Sequence, residues 1–198
     1  MKNRVSKVLL STFLVVSSLI AEALPRSYSF DDTYSLIGLE GGYSSLDVEK
    51  KVVGNPSNIK KYKMSHGGVK IGAQTDNYRI FLSGRYYSAD DFDYATTYGV
   101  ELQYLLNVTS FANIYLGAGT GIINMRFAPV GEASSRTISD PYISGDAGMN
   151  IHLGKTADLE FGARIMSLDA TNTIGNTTYT FDNMITGYAS IIFKYKMD

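Results

Sequence analysis

From about Tyr34 onward, apolar and polar residues alternate in eight stretches, at approximately 34–45, 61–74, 77–88, 94–106, 110–123, 142–153, 158–168 and 183–196. Alternation sends successive side chains to opposite faces, so each stretch predicts a β-strand with one greasy and one polar face. The third is the clearest. Tyr78, Ile80, Leu82, Gly84 and Tyr86 share one face, and Arg79, Phe81, Ser83, Arg85 and Tyr87 share the other. The last sets Ile185, Ala189, Ile191, Phe193 and Tyr195 against Thr186, Tyr188, Ser190 and Lys194. Connections alternate between short ones (Thr75-Asp76, Asn107 to Thr109, Gly154 to Ala157) and long ones near 46–60, 89–93, 124–141 and 169–182. Short turns on one rim, long loops on the other and an even strand count predict an all-β, eight-stranded antiparallel up-and-down transmembrane β-barrel. Both termini then lie on the periplasmic rim.

The first residues read as an export signal. Lys2, Arg4 and Lys7 precede the apolar run Val8 to Ile20, and Ala21-Glu22-Ala23 offers small residues for cleavage after Ala23. The run of about 13 residues is short for a membrane-spanning helix, which needs about 20. The expected division is a signal peptide over 1–23 and an outer-membrane barrel domain over 24–198, which places the protein in a bacterial outer membrane. Losing Lys2, Arg4, Lys7 and Glu22 takes the formal net charge from −1 to about −3, which gives no electrostatic reason to bind nucleic acid. The chain has no cysteine, hence no disulfide and no thiolate chemistry. Its 15 Tyr and 19 Gly against 4 Pro suit a β-protein rich in turns.

Alternation alone leaves open which face points outward. A soluble lipocalin-like barrel puts the apolar set inside, and a membrane barrel inverts it. Two features favour inversion. Aromatic residues sit at the ends of the apolar face: Tyr43, Tyr78, Tyr86, Tyr98, Tyr104, Phe193 and Tyr195. Such a girdle places an apolar ring with a hydroxyl at each membrane–water interface. Tyr78 to Tyr86 spans about 26 Å at ~3.3 Å per residue, or roughly 20 Å of height at a tilt near 40°. The polar face, in turn, carries Glu40, Glu101, Asp146 and Glu160 against Lys70, Arg79, Arg85 and Arg164. Eight strands enclose a space that side chains fill, so charges there have to pair. Glycines such as Gly72, Gly117 and Gly148 on that face leave room for them.

With these features the chain resembles the small outer-membrane β-barrels of the OmpA transmembrane-domain and OmpX type. The resemblance is carried by Ile37-Gly38-Leu39-Glu40-Gly41-Gly42-Tyr43 and by Gly187-Tyr188-Ala189-Ser190-Ile191-Ile192-Phe193-Lys194-Tyr195. It implies a final strand read by the barrel-assembly machinery, although Lys196-Met197-Asp198 trails where relatives end on Phe. It also implies contact with outer-membrane lipid and lipopolysaccharide, and an extracellular partner for the long loops. The peptidoglycan-tethering role of OmpA is not among the expectations, since no segment of this sequence resembles its peptidoglycan-binding domain.

A search for chemistry yields no catalytic set, no metal site and no cofactor motif. Ser65 adjoins His66, but neighbours on a strand face opposite ways. His152 lies near the periplasmic end of the sixth strand. Asp90, Asp91 and Asp93 form an acidic tip without a calcium-loop pattern. Lys50, Lys51, Lys60, Lys61 and Lys63 make the first long loop basic, able to meet lipopolysaccharide phosphates, and Thr171 to Thr180 reads as a mobile, exposed loop. The expected role is structural or adhesin-like, with a lumen closed by its own charges. A narrow or gated channel, a soluble periplasmic binding barrel and a lipid-modifying enzyme are the alternatives.

Overall fold

The structure, a computed structural model, describes residues 33–128 and 135–196. The proposed signal peptide and its cleavage site lie outside them, as do Met197 and Asp198. Eight strands follow one another: β1 (Tyr34–Val52), β2 (Asn58–Gln74), β3 (Tyr78–Ala89), β4 (Phe92–Asn107), β5 (Ala112–Phe127), β6 (Arg136–His152), β7 (Ala157–Ile174) and β8 (Thr177–Lys196). Each pairs antiparallel with the next, and β8 returns to β1 from Tyr34↔Lys196 upward, closing the barrel.

The outward face is the apolar one. Leu39, Val69, Leu82, Ile143 and Ile185 are each 53% exposed or more, while Arg79 and Glu160 are fully buried inside. Exposed aliphatic side chains around a wall and ionised ones within it are stable only where hydrocarbon replaces water outside. The protein is therefore a transmembrane barrel, and the lipocalin-like orientation is excluded.

The long connections expected from the sequence are largely strand. β1 runs to Val52 rather than ending near 45, β2 begins at Asn58, β6 at Arg136, and β7 and β8 meet at a two-residue turn of Gly175 and Asn176. Gly175 adopts φ +58°, a left-handed conformation that this tight reversal needs and that glycine enters without steric cost. Thr171 to Thr180 is thus a paired hairpin, Thr171↔Thr180 included, and not a mobile loop.

Along these extensions the pattern changes phase. On β1 the outward residues read Ile37, Leu39, Gly41 and Tyr43, then Ser45, Asp47 and Glu49, while the buried ones read Glu40 and Ser44, then Leu46 and Val48. Lipid solvates the lower wall and water the upper, so the greasy set moves from outside to inside. The upper interior is filled by Leu46, Val48, Tyr62, Met64, Phe92, Ile123, Met125, Phe127, Phe181 and their neighbours.

Above the membrane the wall also divides. β2 and β3 last pair at Ser65↔Ser88, and β6 and β7 at Ile143↔Ser167. What stands higher is two sheets, β7–β8–β1–β2 and β4–β5–β6, face to face over that apolar layer. Phe127 touches Tyr62, Tyr179 and Phe181 across the gap, with ring centroids 5.3–5.4 Å apart. Pro141 explains the second seam. Leu153 donates its N–H to Ala157, so odd-numbered residues of β6 turn their backbone groups toward β7. Pro141, the next such residue past Ile143, has no N–H to give.

Two substitutions separate the two solvents. Leu82→Lys, mid-band and outward, is expected to cost about 2–4 kcal/mol, whereas Thr171→Lys, outward on the extension, should change stability by less than about 0.5 kcal/mol. Equilibrium urea unfolding from lipid bilayers measures both.

Candidate functional site

The site is the barrel interior, built where inward-pointing residues of all eight strands meet. Glu40 on β1 is its hub. Its carboxylate accepts from Arg85 Nε at 2.6 Å and Nη2 at 3.1 Å, and from Arg164 Nη1 at 3.1 Å. His66 Nε2 lies 3.1 Å from the same carboxylate, and Lys70 Nζ 3.6 Å. Glu101 on β4 faces the same two guanidinium groups, at 2.5 Å from Arg85 Nη2 and 3.3 Å from Arg164 Nη2, and accepts from Ser83 Oγ at 2.8 Å. Two arginines and two glutamates thus form a closed square across the lumen, every member nine-tenths or more buried.

A second tier lies nearer the termini. Lys70 donates to Glu160 at 2.5 Å. Arg79 pairs with Asp158 and donates to Asn150 at 3.0 Å and Gln74 at 2.6 Å. Asp158 also receives Lys194 at 2.7 Å and His152 at 2.8 Å. Between the tiers, Tyr115 and Tyr188 share a hydrogen bond of 2.7 Å, and Asp146 accepts from Gln103 at 3.1 Å and Tyr188 at 3.3 Å. Arg164 lies over the Tyr188 ring at 4.5 Å.

All eight charges singled out in the sequence point inward and are buried, Glu40, Lys70, Arg79, Arg85, Glu101, Asp146, Glu160 and Arg164 among them at 7% exposure or less. Asp146 stands apart: neutral groups are its hydrogen-bond partners. Asp158 and Lys194 join the network without having been singled out. Asp158 shares a strand face with Glu160 and Arg164, and Lys194 stands on the polar face that alternation gives β8, so the same parity would have found both. Small residues make the space: a Cβ at Gly38 would sit 2.7 Å from Lys70 Cγ, and one at Gly117 2.6 Å from Asp146 Oδ1.

The aromatic positions fall on the outside at two levels. Tyr43, Tyr86 and Tyr98 are exposed by 53–77% toward the extended rim, and Tyr195 is exposed, with Phe193 half-buried, toward the terminal rim. Tyr78 and Tyr104, half-buried there, are direct cross-strand partners with ring centroids 5.2 Å apart. Ser65 faces outward and His66 inward, so the two do not meet. Lys50, Lys60 and Arg136 gather at the mouth over the Tyr179 and Tyr62 rings, at 4.2–5.4 Å. Asp91 and Asp93 lie near Lys60 and Arg126, and among the described residues no three metal-ligating side chains cluster.

No family model and no curated protein matches the chain. Solved structures do. Neisserial surface protein A aligns over 83% of this chain and 97% of its own, at 15% identity and a TM-score of 0.58. The fold is that of the small bacterial outer-membrane barrels. The outer membrane protein OprG of Pseudomonas aeruginosa aligns at 11% identity over 86% of this chain and all of its own, with a TM-score of 0.56. The N-terminal barrel domain of OprF from the same organism gives 12%, 81%, 97% and 0.54. At such identities what is shared is architecture.

Glu40→Gln leaves the buried Arg85 and Arg164 undercompensated, and a loss of about 3–5 kcal/mol is expected. Asp146→Asn keeps neutral partners and should cost about 1 kcal/mol. Urea titration of the two refolded variants in one lipid tests the ranking.

Proposed function

We propose that the protein is a sealed, non-catalytic barrel of the bacterial outer membrane with a structural and surface-interaction role, its extended rim facing the exterior. One observation carries this reading: the apolar layer above the paired charges fills the upper interior from both sheets. A water path would have to cross Phe127, Phe181, Met125 and Met184, all fully buried, as well as the ion-paired square beneath. Eight strands enclose little more than their own side chains in any case. What the extension offers to the outside is its polar outer surface and hairpin tips. Paired strands hold that surface rigid, which favours contact with a partner over passage of a solute. The lipid-facing band and its aromatic levels support outer-membrane lipid and lipopolysaccharide as permanent neighbours. The outward Phe193 and Tyr195 on β8 suit recognition by the barrel-assembly machinery.

The charged square supports a second reading, a narrow or gated channel, because Arg85 and Arg164 stand between two glutamates and a change of partner would move them. On the sealed reading, purified protein in planar bilayers gives no resolvable conductance, and neither Glu101→Gln nor Arg85→Ala creates any. Discrete channel steps from the wild type would favour the gated reading.

Since the chain has no cysteine, single introduced thiols report its orientation cleanly. Thr173→Cys should react with a membrane-impermeant maleimide on intact cells, and Thr109→Cys only after the outer membrane is opened. The reverse pattern would invert the assignment of the rims.

A further inference from the structure

The β2–β3 seam opens on the lipid-facing side, at the level where hydrocarbon gives way to headgroups. Thr75 donates its N–H to Tyr78, so the odd-numbered residues of β2 turn their backbone groups toward β3. The last to find a partner there is Ser65, paired with Ser88. Lys63 and Lys61 come next, and no described strand lies beside them. Their side chains point outward and are exposed. Lys63 forms no ion pair among the described residues, and Lys61 has only Asp47, at 3.6 Å on the open surface.

The height of this edge follows from register. Tyr43, 77% exposed, lies opposite Ser65, and Tyr86 lies opposite the exposed Gly67 just below. Lys63 is two residues above the tyrosine level, about 7 Å along the strand, and Lys61 about 13 Å. These are headgroup distances above the apolar band. The acids nearest the edge are Asp90 and Asp91 in the β3–β4 turn, Asp91 engaged by Lys60 at 3.7 Å, and elsewhere around the outer surface at this height the described charges are Asp47, Glu49, Asp93, Asp169, Asp182, Lys51 and Arg126, the last held by Asp93 at 3.2 Å. Positive charge is therefore focused on one strand. On the edge itself the groups beside these ammoniums are donors: the backbone N–H groups of Lys61 and Lys63 and the outward hydroxyls of Ser65 and Ser88.

We infer that this edge is a binding site for a phosphate of lipid A in the outer leaflet: Lys63 and Lys61 supply the charge, the free backbone N–H groups and the two serines complete the donor set, and Tyr43 and Tyr86 flank the sugar and upper acyl chains. Two ammonium groups with N–H and hydroxyl donors along the same edge suit a phosphate, whose oxygens accept from several directions. The ligand follows from the rim: the extended end faces the exterior, where the leaflet's lipid is lipopolysaccharide. The site therefore rests on the outer-membrane reading given above. Lysines also guard free strand edges against pairing with another chain, and that role requires no lipid.

The test uses the full mature chain refolded in detergent micelles, titrated with bisphosphorylated lipid A and with fully dephosphorylated lipid A. Wild-type protein should prefer the phosphorylated form. Lys61→Gln combined with Lys63→Gln should bind it about thirty-fold more weakly and lose the preference, at roughly a factor of five per lysine. The double arginine variant should keep the preference, and Lys51→Gln should leave it unchanged. Undiminished affinity in the double glutamine variant would overturn the site, as would the absence of any preference in the wild type. New oligomers of that variant with unaltered lipid affinity would assign the lysines to edge protection instead. Equal loss in Lys51→Gln would mean diffuse charge and no site. Heat-modifiable mobility of each variant verifies the barrel independently, and a wild type without it would remove the membrane reading along with the site.

Discussion

A carboxylate at the centre of an eight-stranded tube has no bulk water to turn to, so its partners have to come from the surrounding wall. Glu40 shows how completely this shapes the molecule. Arg85, Arg164, His66 and Lys70 converge on it from three other strands. Those contacts fix the rotation of each strand about its axis, because a shift by one residue would send the charges into lipid and the aliphatic residues into the lumen. The hydrocarbon outside and the ion pairs inside are thus one constraint seen from two faces of the same sheet. Neither alone sets the register, and together they leave one solution.

The same constraint accounts for the upper part of the barrel. Once the wall rises above the lipid, aliphatic residues on the outside lose their solvent, and ion pairs inside lose their justification. The chain responds by exchanging the two faces. Ser44 to Val48 on β1 and Tyr179 to Met184 on β8 carry the change, and the interior becomes an ordinary hydrophobic core between two sheets. The seams appear only in this region. In hydrocarbon an unpaired backbone group is prohibitively costly, and in water it is solvated.

Much of this was legible in the sequence. β3 was read almost to the residue because nearly all of it lies within the lipid band, where alternation keeps one phase. β1 and β8 were read short, because the greasy positions change face near Ser44 and near Asn183, and a change of phase looks like the end of a strand. Period-two reasoning assumes one solvent along the whole element, and here there are two. The lumen charges were found by parity alone. Alternation also placed Lys194 on the polar face of β8 and Asp158 on that of Glu160 and Arg164; what it did not show is that the two pair with each other, at 2.7 Å. Which groups pair was not legible, since that depends on how strands distant in sequence face one another across the tube. Nor was the apolar layer, because Leu46, Val48, Phe92, Met125, Phe127, Tyr179 and Phe181 fell in the expected connections.

Pro141 gives the molecule a mechanical property. With β6 released from β7 on one side and β2 from β3 on the other, the two outer sheets are joined, among the described residues, through the ring below and by side chains between them. Above the bilayer they are held to one another by packed rings, Phe127 on Tyr62, Tyr179 and Phe181, where the ring below is held by a continuous hydrogen-bonded ladder. The outer half therefore coheres by hydrophobic packing and the membrane half by backbone pairing and ion pairs, so a substitution that thins the ring layer weakens the first without touching the second.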